Sequence, residues 1–167
     1  MAINTSQGSG TVITEYDLWR LSTSATVDAG DIVKTNWERS DYQSGYIGSG
    51  MSIDTSTGYW TFPKTGRYHI QTQAAAYKNS NIAYFSMVID VSLNGGTSHT
   101  NIGAAWQGSN YNVTNPHFTQ TCQVVVLVDN TSNIKVRFRM DQPTSGITIF
   151  GGTNANYTCA SFIRVGD

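Results

Sequence analysis

The stretch Gly58-Tyr-Trp-Thr-Phe-Pro-Lys-Thr-Gly-Arg-Tyr-His-Ile-Gln-Thr-Gln73 decides how the rest of this chain is read. It predicts a short strand through Tyr59-Trp60-Thr61-Phe62, a tight turn, and then a long alternating strand. Pro63 fixes its own φ and Gly66 accepts a backbone conformation that other residues avoid, so the chain reverses between the two strands. Beyond the turn, Tyr68, Ile70 and Thr72 share one face, while Arg67, His69, Gln71 and Gln73 share the other. A two-residue period of this kind marks a strand with one face on a core, and the reading is an all-β protein.

Composition agrees. The chain has 167 residues, of which 39% are hydrophobic and 13% charged, about half the usual charged fraction. Ser, Thr, Asn, Gln and Gly take the place of the missing charge, with 16 glycines and nine tyrosines. This suits short strands joined by many turns, and an outer surface partly covered by other subunits. The net charge of −1 and the absence of any Lys/Arg run argue against a phosphate-tracking surface, so nucleic acid is not an expected partner. No charged-then-apolar leader opens the sequence and no apolar span approaches ~20 residues, so neither a secretion signal nor a membrane partner is expected.

Outward from the central stretch, apolar segments recur between turn residues. Tyr16 to Leu21, Ala25 to Val27, Ile32 to Trp37, Tyr46-Ile47, Arg67 to Tyr77, Tyr84 to Leu93, His99 to Trp106, Phe118 to Val128, Ile134 to Met140 and Tyr157 to Val165 all read as strands. Asn94-Gly95-Gly96 is a hairpin signal, and the glycine-rich stretch through Gly146, Gly151 and Gly152 reads as a loop. About eight to ten strands without a confident helix point to a sandwich of two antiparallel sheets. Met1 to Gly10 reads as a flexible N-terminal arm, and residues 11–167 as a single domain.

The segment Ile53-Asp54-x-Ser56-Thr57-Gly58-Tyr59-Trp60-Thr61-Phe62-Pro63-x-x-Gly66-x-Tyr68-x-Ile70 resembles the signature of C-one-q globular head domains, which share the tumour-necrosis-factor jelly roll. Val124 to Val136 and Ala160-Ser161-Phe162-Ile163 resemble that family's later strands, so the likeness runs from about Ile13 to Val165. It implies a jelly-roll sandwich assembled as a trimer, with the outer face of the sheet containing Tyr68 and Ile70 lining the subunit contacts. The chain departs from the animal members in lacking a collagen stalk. Three other phrases are similar to short standalone proteins of marine tailed bacteriophages: Thr14-Glu15-Tyr16-Asp17-Leu18-Trp19-Arg20-Leu21, Asn36-Trp37-Glu38-Arg39 and Gly45-Tyr46-Ile47-Gly48-Ser49-Gly50-Met51. That resemblance implies a non-enzymatic structural protein located in the virion, with a trimeric capsid decoration protein as the leading expectation. The alternative is a module at a tail or fibre tip that binds host glycan or protein.

Candidate residues follow from these readings. Val124 to Val128 is apolar on both faces, although one face of a sandwich strand should meet solvent, so another surface is expected to cover it. His69, Gln71, Gln73, Val125 and Leu127 are therefore the expected trimer-interface residues. Trp106, Asn110 and Tyr111 combine aromatic faces with an amide and form the candidate ligand-binding loop, joined by Tyr42, Tyr46 and the loop from Gly146 to Asn156. The plainer reading places Trp106 in the core or between subunits. His69, His99 and His117 have no metal-ligand spacing, though a His69 facing a symmetry axis would recur three times around it. Asp28, Asp31 and Asp54 read as turn residues rather than as a dense calcium loop. No nucleophile, paired-carboxylate or phosphate-loop pattern is present, so no catalytic residue, metal or cofactor is expected. Cys122 and Cys159 fall on separate strands, either as free thiols or as a disulfide.

Overall fold

The computed structural model describes residues 12–41, 45–78, 80, 82–108, 116–142 and 145–167, and the arm expected over Met1–Gly10 lies outside them. The long alternating strand is the axis of the first sheet. It is β7 (Gly66–Tyr77), and β10 (His117–Val128) pairs with it along its entire length. On its other side β13 (Cys159–Gly166) follows the first half, and β12 (Ile147–Ile149) takes over at the end. The sheet widens from β13 to β1 (Tyr16–Leu21) and then to β3 (Trp37–Arg39) and β4 (Tyr46–Ile47), and from β12 to β2 (Ala25–Val27). The second sheet runs β5 (Ser52–Ile53), β6 (Trp60–Thr61), β11 (Lys135–Asp141), β8 (Ser86–Ser92), β9 (Thr100–Gly103). All pairings are antiparallel, and no helix occurs among the described residues.

Reversal at the turn works as its residues require. Gly66 has φ 133°, and a Cβ there would stand 2.5 Å from Arg164 Nε and from the Gly166 carbonyl oxygen. Only glycine accepts both that backbone and that approach. The expected segmentation needs three corrections. Ile32 to Trp37 is not a strand: Ile32 makes one bridge to Arg139, and the paired residues are Trp37–Arg39. The glycine-rich stretch holds β12, because Ile147 and Ile149 alternate inward beneath the end of β7. Finally, β8 is buried on both faces rather than on one. Its outer-facing Asp90 is sealed by Arg137 and Arg139, whose Nε atoms lie 3.3 and 3.0 Å from one carboxylate oxygen.

Alternation places Tyr68, Ile70, Thr72, Ala74 and Ala76 against the second sheet, where Val136, Phe138 and Met140 meet them. Trp60, fully buried, is the hub of this core. Trp19, Trp37, Phe162 and Phe138 ring it with centroids 5.0, 5.5, 5.2 and 5.9 Å away, two of them edge-on. Register also settles the cysteines. Cys122 opposes Thr72, whose other neighbour is Ala160, so Cys159 projects from the opposite face of the sheet and both thiols are free.

A second anchor is electrostatic. Glu15, immediately before β1, and Asp17, within it, are almost fully buried. Glu15 accepts the Ser49 and Gly50 N–H groups at 2.9 and 3.2 Å, and Lys64 Nζ lies 2.6 Å from it. Asp17 accepts the Met51 N–H at 2.6 Å and the Arg39 Nε–H at 3.2 Å. Arg39 closes the circuit by donating to the Met51 carbonyl at 2.7 Å. Burial alone would raise the Glu15 carboxyl, but the Lys64 ammonium and the two backbone N–H groups outweigh it and hold the group below its usual value.

Two outcomes follow from this packing. Trp60→Ala removes the hub shared by four rings and is expected to lower the unfolding free energy by about 3–5 kcal/mol, read from chemical denaturation curves. Glu15, with its folded value depressed, contributes stability that is complete above its unfolded value and is lost as the pH falls through the folded one. Thermal melts between neutral and acid pH should therefore show a fall that Glu15→Gln flattens, and equal slopes for the two proteins would refute the assignment.

Candidate functional site: the outer face of the first sheet

Directly opposed residues of antiparallel strands share a face, so the register lays out the exposed side of the first sheet row by row. One row reads Val125, His69, Ile163, Tyr16, Ile47 from edge to edge. The next reads Gln123, Gln71, Ser161, Leu18, and the third Thr121, Gln73, Cys159, Arg20, Glu38. On the other side of the first row, Leu127 stands opposite Arg67. The first row thus sets three aliphatic side chains, with His69 and Tyr16 between them, in a band across the sheet, bordered by the more polar rows of Gln123 and Thr121.

Exposure within the band is high for such side chains: 61% for Val125, 52% for Leu127 and 49% for Ile47. The band turns the corner at the β10 edge, where Leu93 is 68% exposed and Ile102 is also exposed. Val91, Leu93, Ile102 and Val124 to Leu127 line an open groove of about 500 Å³ there. Val124, Val126 and Val128 face inward, so the doubly apolar run divides as its alternation requires. The five residues expected at a subunit contact, His69, Gln71, Gln73, Val125 and Leu127, all lie on this one face. His69 Nε2 is 3.2 Å from Gln123 Oε1, and the Gln73 amide donates to the Asn156 and Tyr157 carbonyls at 3.1 Å.

At the far end of the same face the structure brings together residues that sequence reading missed. Tyr77, His117 and Phe150 are stacked with centroids 5.3–5.9 Å apart, and Tyr157 lies 6.3 Å from Phe150. His117, Phe150 and Tyr157, with Ala75 and Thr119, border a cleft of about 400 Å³. The four rings come from four separate segments of the chain, so no local pattern announces them.

The candidate ligand loop fares differently. Trp106 is 60% exposed, and its indole N–H donates to Asp141 Oδ2 at 3.1 Å. It does not enter the core, which corrects that half of the plainer reading. Phe85, whose backbone pairs with Gln107, is the fully buried ring of this region and packs on Phe118. Asn110, Tyr111 and Tyr42 lie outside the described residues. Tyr46 is exposed beneath the Arg39 guanidinium, 4.8 Å from its ring centroid.

The histidines do not converge: His69 faces Gln123, His99 lies against Arg137 and Asp90, and His117 stacks on Phe150. Asp54 and Asp31 bond within their own turns, whereas Asp28 reaches a distant loop. Asp54 accepts from the Ser56 N–H, the Ser56 hydroxyl and the Thr57 hydroxyl, which brings its carboxyl down to about 2. Asp31 accepts the Asp28 N–H, and Asp28 accepts the Gly146 N–H.

Comparison with known proteins places the architecture. No protein-family model and no curated protein sequence matches the chain. Among solved structures it is similar to Eiger TNF from S. frugiperda, with a TM-score of 0.61 and 11% identity, covering 91% of this chain and 92% of that one. It is also similar to murine APRIL, with a TM-score of 0.56 and 9% identity, covering 90% and 99%. At this identity the likeness concerns the fold: the chain is an all-β jelly roll of two antiparallel sheets, of the tumour-necrosis-factor type.

Proposed function

We propose that this chain is a non-enzymatic assembly protein that acts as a homotrimer, through the outer face of its first sheet. The observation that carries the proposal is the aliphatic band. Soluble monomers seldom leave apolar side chains clustered and exposed as Val125, Leu127, Leu93 and Ile102 are at the β10 edge, and a band that reaches both edges of one sheet suits a head-to-tail ring. Its residues offer contact area, with the amide field beside it for directional bonds. The three N-terminal phrases similar to tailed-phage proteins support placing this trimer in a bacteriophage virion. Capsid decoration is the form we favour, since a trimer matches local threefold symmetry and would work through contact with other virion proteins.

Val125 and Leu127 already project from the core, so the double variant V125D/L127D should keep the circular dichroism spectrum of the parent. It should convert trimers to monomers by mass photometry, because each copy would bury two carboxylates without partners. A parent that is monomeric throughout the micromolar range would overturn the assembly reading. Electron cryomicroscopy of particles would then test location: copies in threes across the shell are expected of a decoration protein.

One observation favours a second reading, a receptor-binding module. The exposed Trp106 ring, its N–H held by Asp141, is the kind of fixed aromatic face on which a sugar ring stacks. If this is its use, Trp106→Ala should abolish host-glycan binding in an array or titration and leave oligomeric state unchanged. Equal binding by parent and variant would remove the ring from consideration.

A further inference from the structure

The three phrases Thr14–Leu21, Asn36–Arg39 and Gly45–Met51 are separated in the chain, yet the structure joins them in one clasp. Glu15 and Asp17 of the first phrase hold the N–H groups of Ser49, Gly50 and Met51 in the third. Arg39 of the second spans Asp17 and the Met51 carbonyl, and its guanidinium lies over both Trp19 and Tyr46, 4.9 and 4.8 Å from the ring centroids. Contact is close enough to demand glycine. Gly48 has φ 81°, and a Cβ there would stand 2.4 Å from Glu15 Oε2; Gly50 has φ 72°, with 2.6 Å to Arg39 Nη2. The regular pairing of this segment is slight, since β4 has two residues. Charge-assisted bonds to side chains of β1 therefore do most of what a longer ladder would otherwise do.

Ile47 ends the aliphatic band on the edge opposite the Leu93 and Ile102 corner, directly across from Tyr16. We infer that Glu15, Asp17 and Arg39 are positioning residues for self-association, acting through Ile47 although none of the three belongs to the band itself. The inference rests on the trimer reading above and adds to it which buried groups set the shape of one contact edge. Without the negative charge at position 15, the bonds from the Ser49 and Gly50 N–H groups are no longer charge-assisted, the Lys64 ammonium loses its counter-charge, and the loop is free to shift. Ile47 then no longer lies in line with Val125, His69 and Ile163.

A double-mutant cycle on the association constant tests this, using Glu15→Gln, Ile47→Ala and the double variant, with sedimentation velocity as the readout. Exchanging hydrogen bonds to a charged group for bonds to a neutral amide corresponds to about a tenfold rise in the dissociation constant. Glu15→Gln is expected to show such a rise, and the double variant to be no weaker than Ile47→Ala alone, because both changes remove the same contact. Lys64→Gln alters a half-exposed partner of Glu15, leaves the fold intact and should shift association in the same direction, which covers the case of a Glu15 variant that fails to fold. Additive effects of positions 15 and 47 in a parent that does form trimers would overturn this inference and leave the assembly reading standing. A parent monomeric at every concentration would overturn both.

Discussion

The two-residue period of β7 is the constraint on which the rest depends. A strand cannot present Tyr68, Ile70, Thr72, Ala74 and Ala76 to one side without presenting Arg67, His69, Gln71 and Gln73 to the other. Because β7 lies in the middle of the first sheet and is paired along both sides, its pleat is imposed on β10, β13 and, through them, on β1. The core and the outer face are thus two readings of the same register. Slipping any partner by one residue would exchange them, burying Val125 and Leu127 and exposing Val124 and Val126.

Charge is scarce in this chain and is used chiefly to hold backbone and other charges in place. Asp90, fully buried, is matched by two guanidinium groups from the neighbouring strand. Arg20, also buried, spans Glu38 and Asp41 with bonds of 2.8 and 2.7 Å. Glu15 and Asp17 order a loop that short strands alone would hold poorly. Buried pairs of this kind add little net stability over an apolar replacement, but removing one partner leaves an unpaired charge and is costly. Their effect is to select one arrangement of loops around a core that aromatic packing already stabilises.

Much of the fold was legible because its strongest elements are long and periodic. The turn at Pro63 to Gly66, the alternation of β7 and β11 and the outward direction of His69, Gln71 and Gln73 all followed from residue order. What was misread had no period to read. Ile147 and Ile149 are a two-residue pattern inside glycine-rich sequence, and β8 is covered on its outer side by arginines that alternation assigns to another strand. For Trp106 residue order left a ligand loop, the core and a subunit contact all open; its exposure rules out the core, and Phe85, from a bridge partner, is the buried ring there.

The sequence by itself determined which residues face together along each strand, since a pleat of period two is a property of the local chain. It thereby determined the class of fold and named five residues of one face. Only the tertiary structure decided which strands lie beside one another, because pairing joins segments as distant as Tyr16 and Ile163 through backbone groups that every residue shares. That is why the row from Val125 to Ile47, the ring cluster of Tyr77, His117, Phe150 and Tyr157, and the clasp of Glu15, Asp17 and Arg39 appear only when the chain is folded.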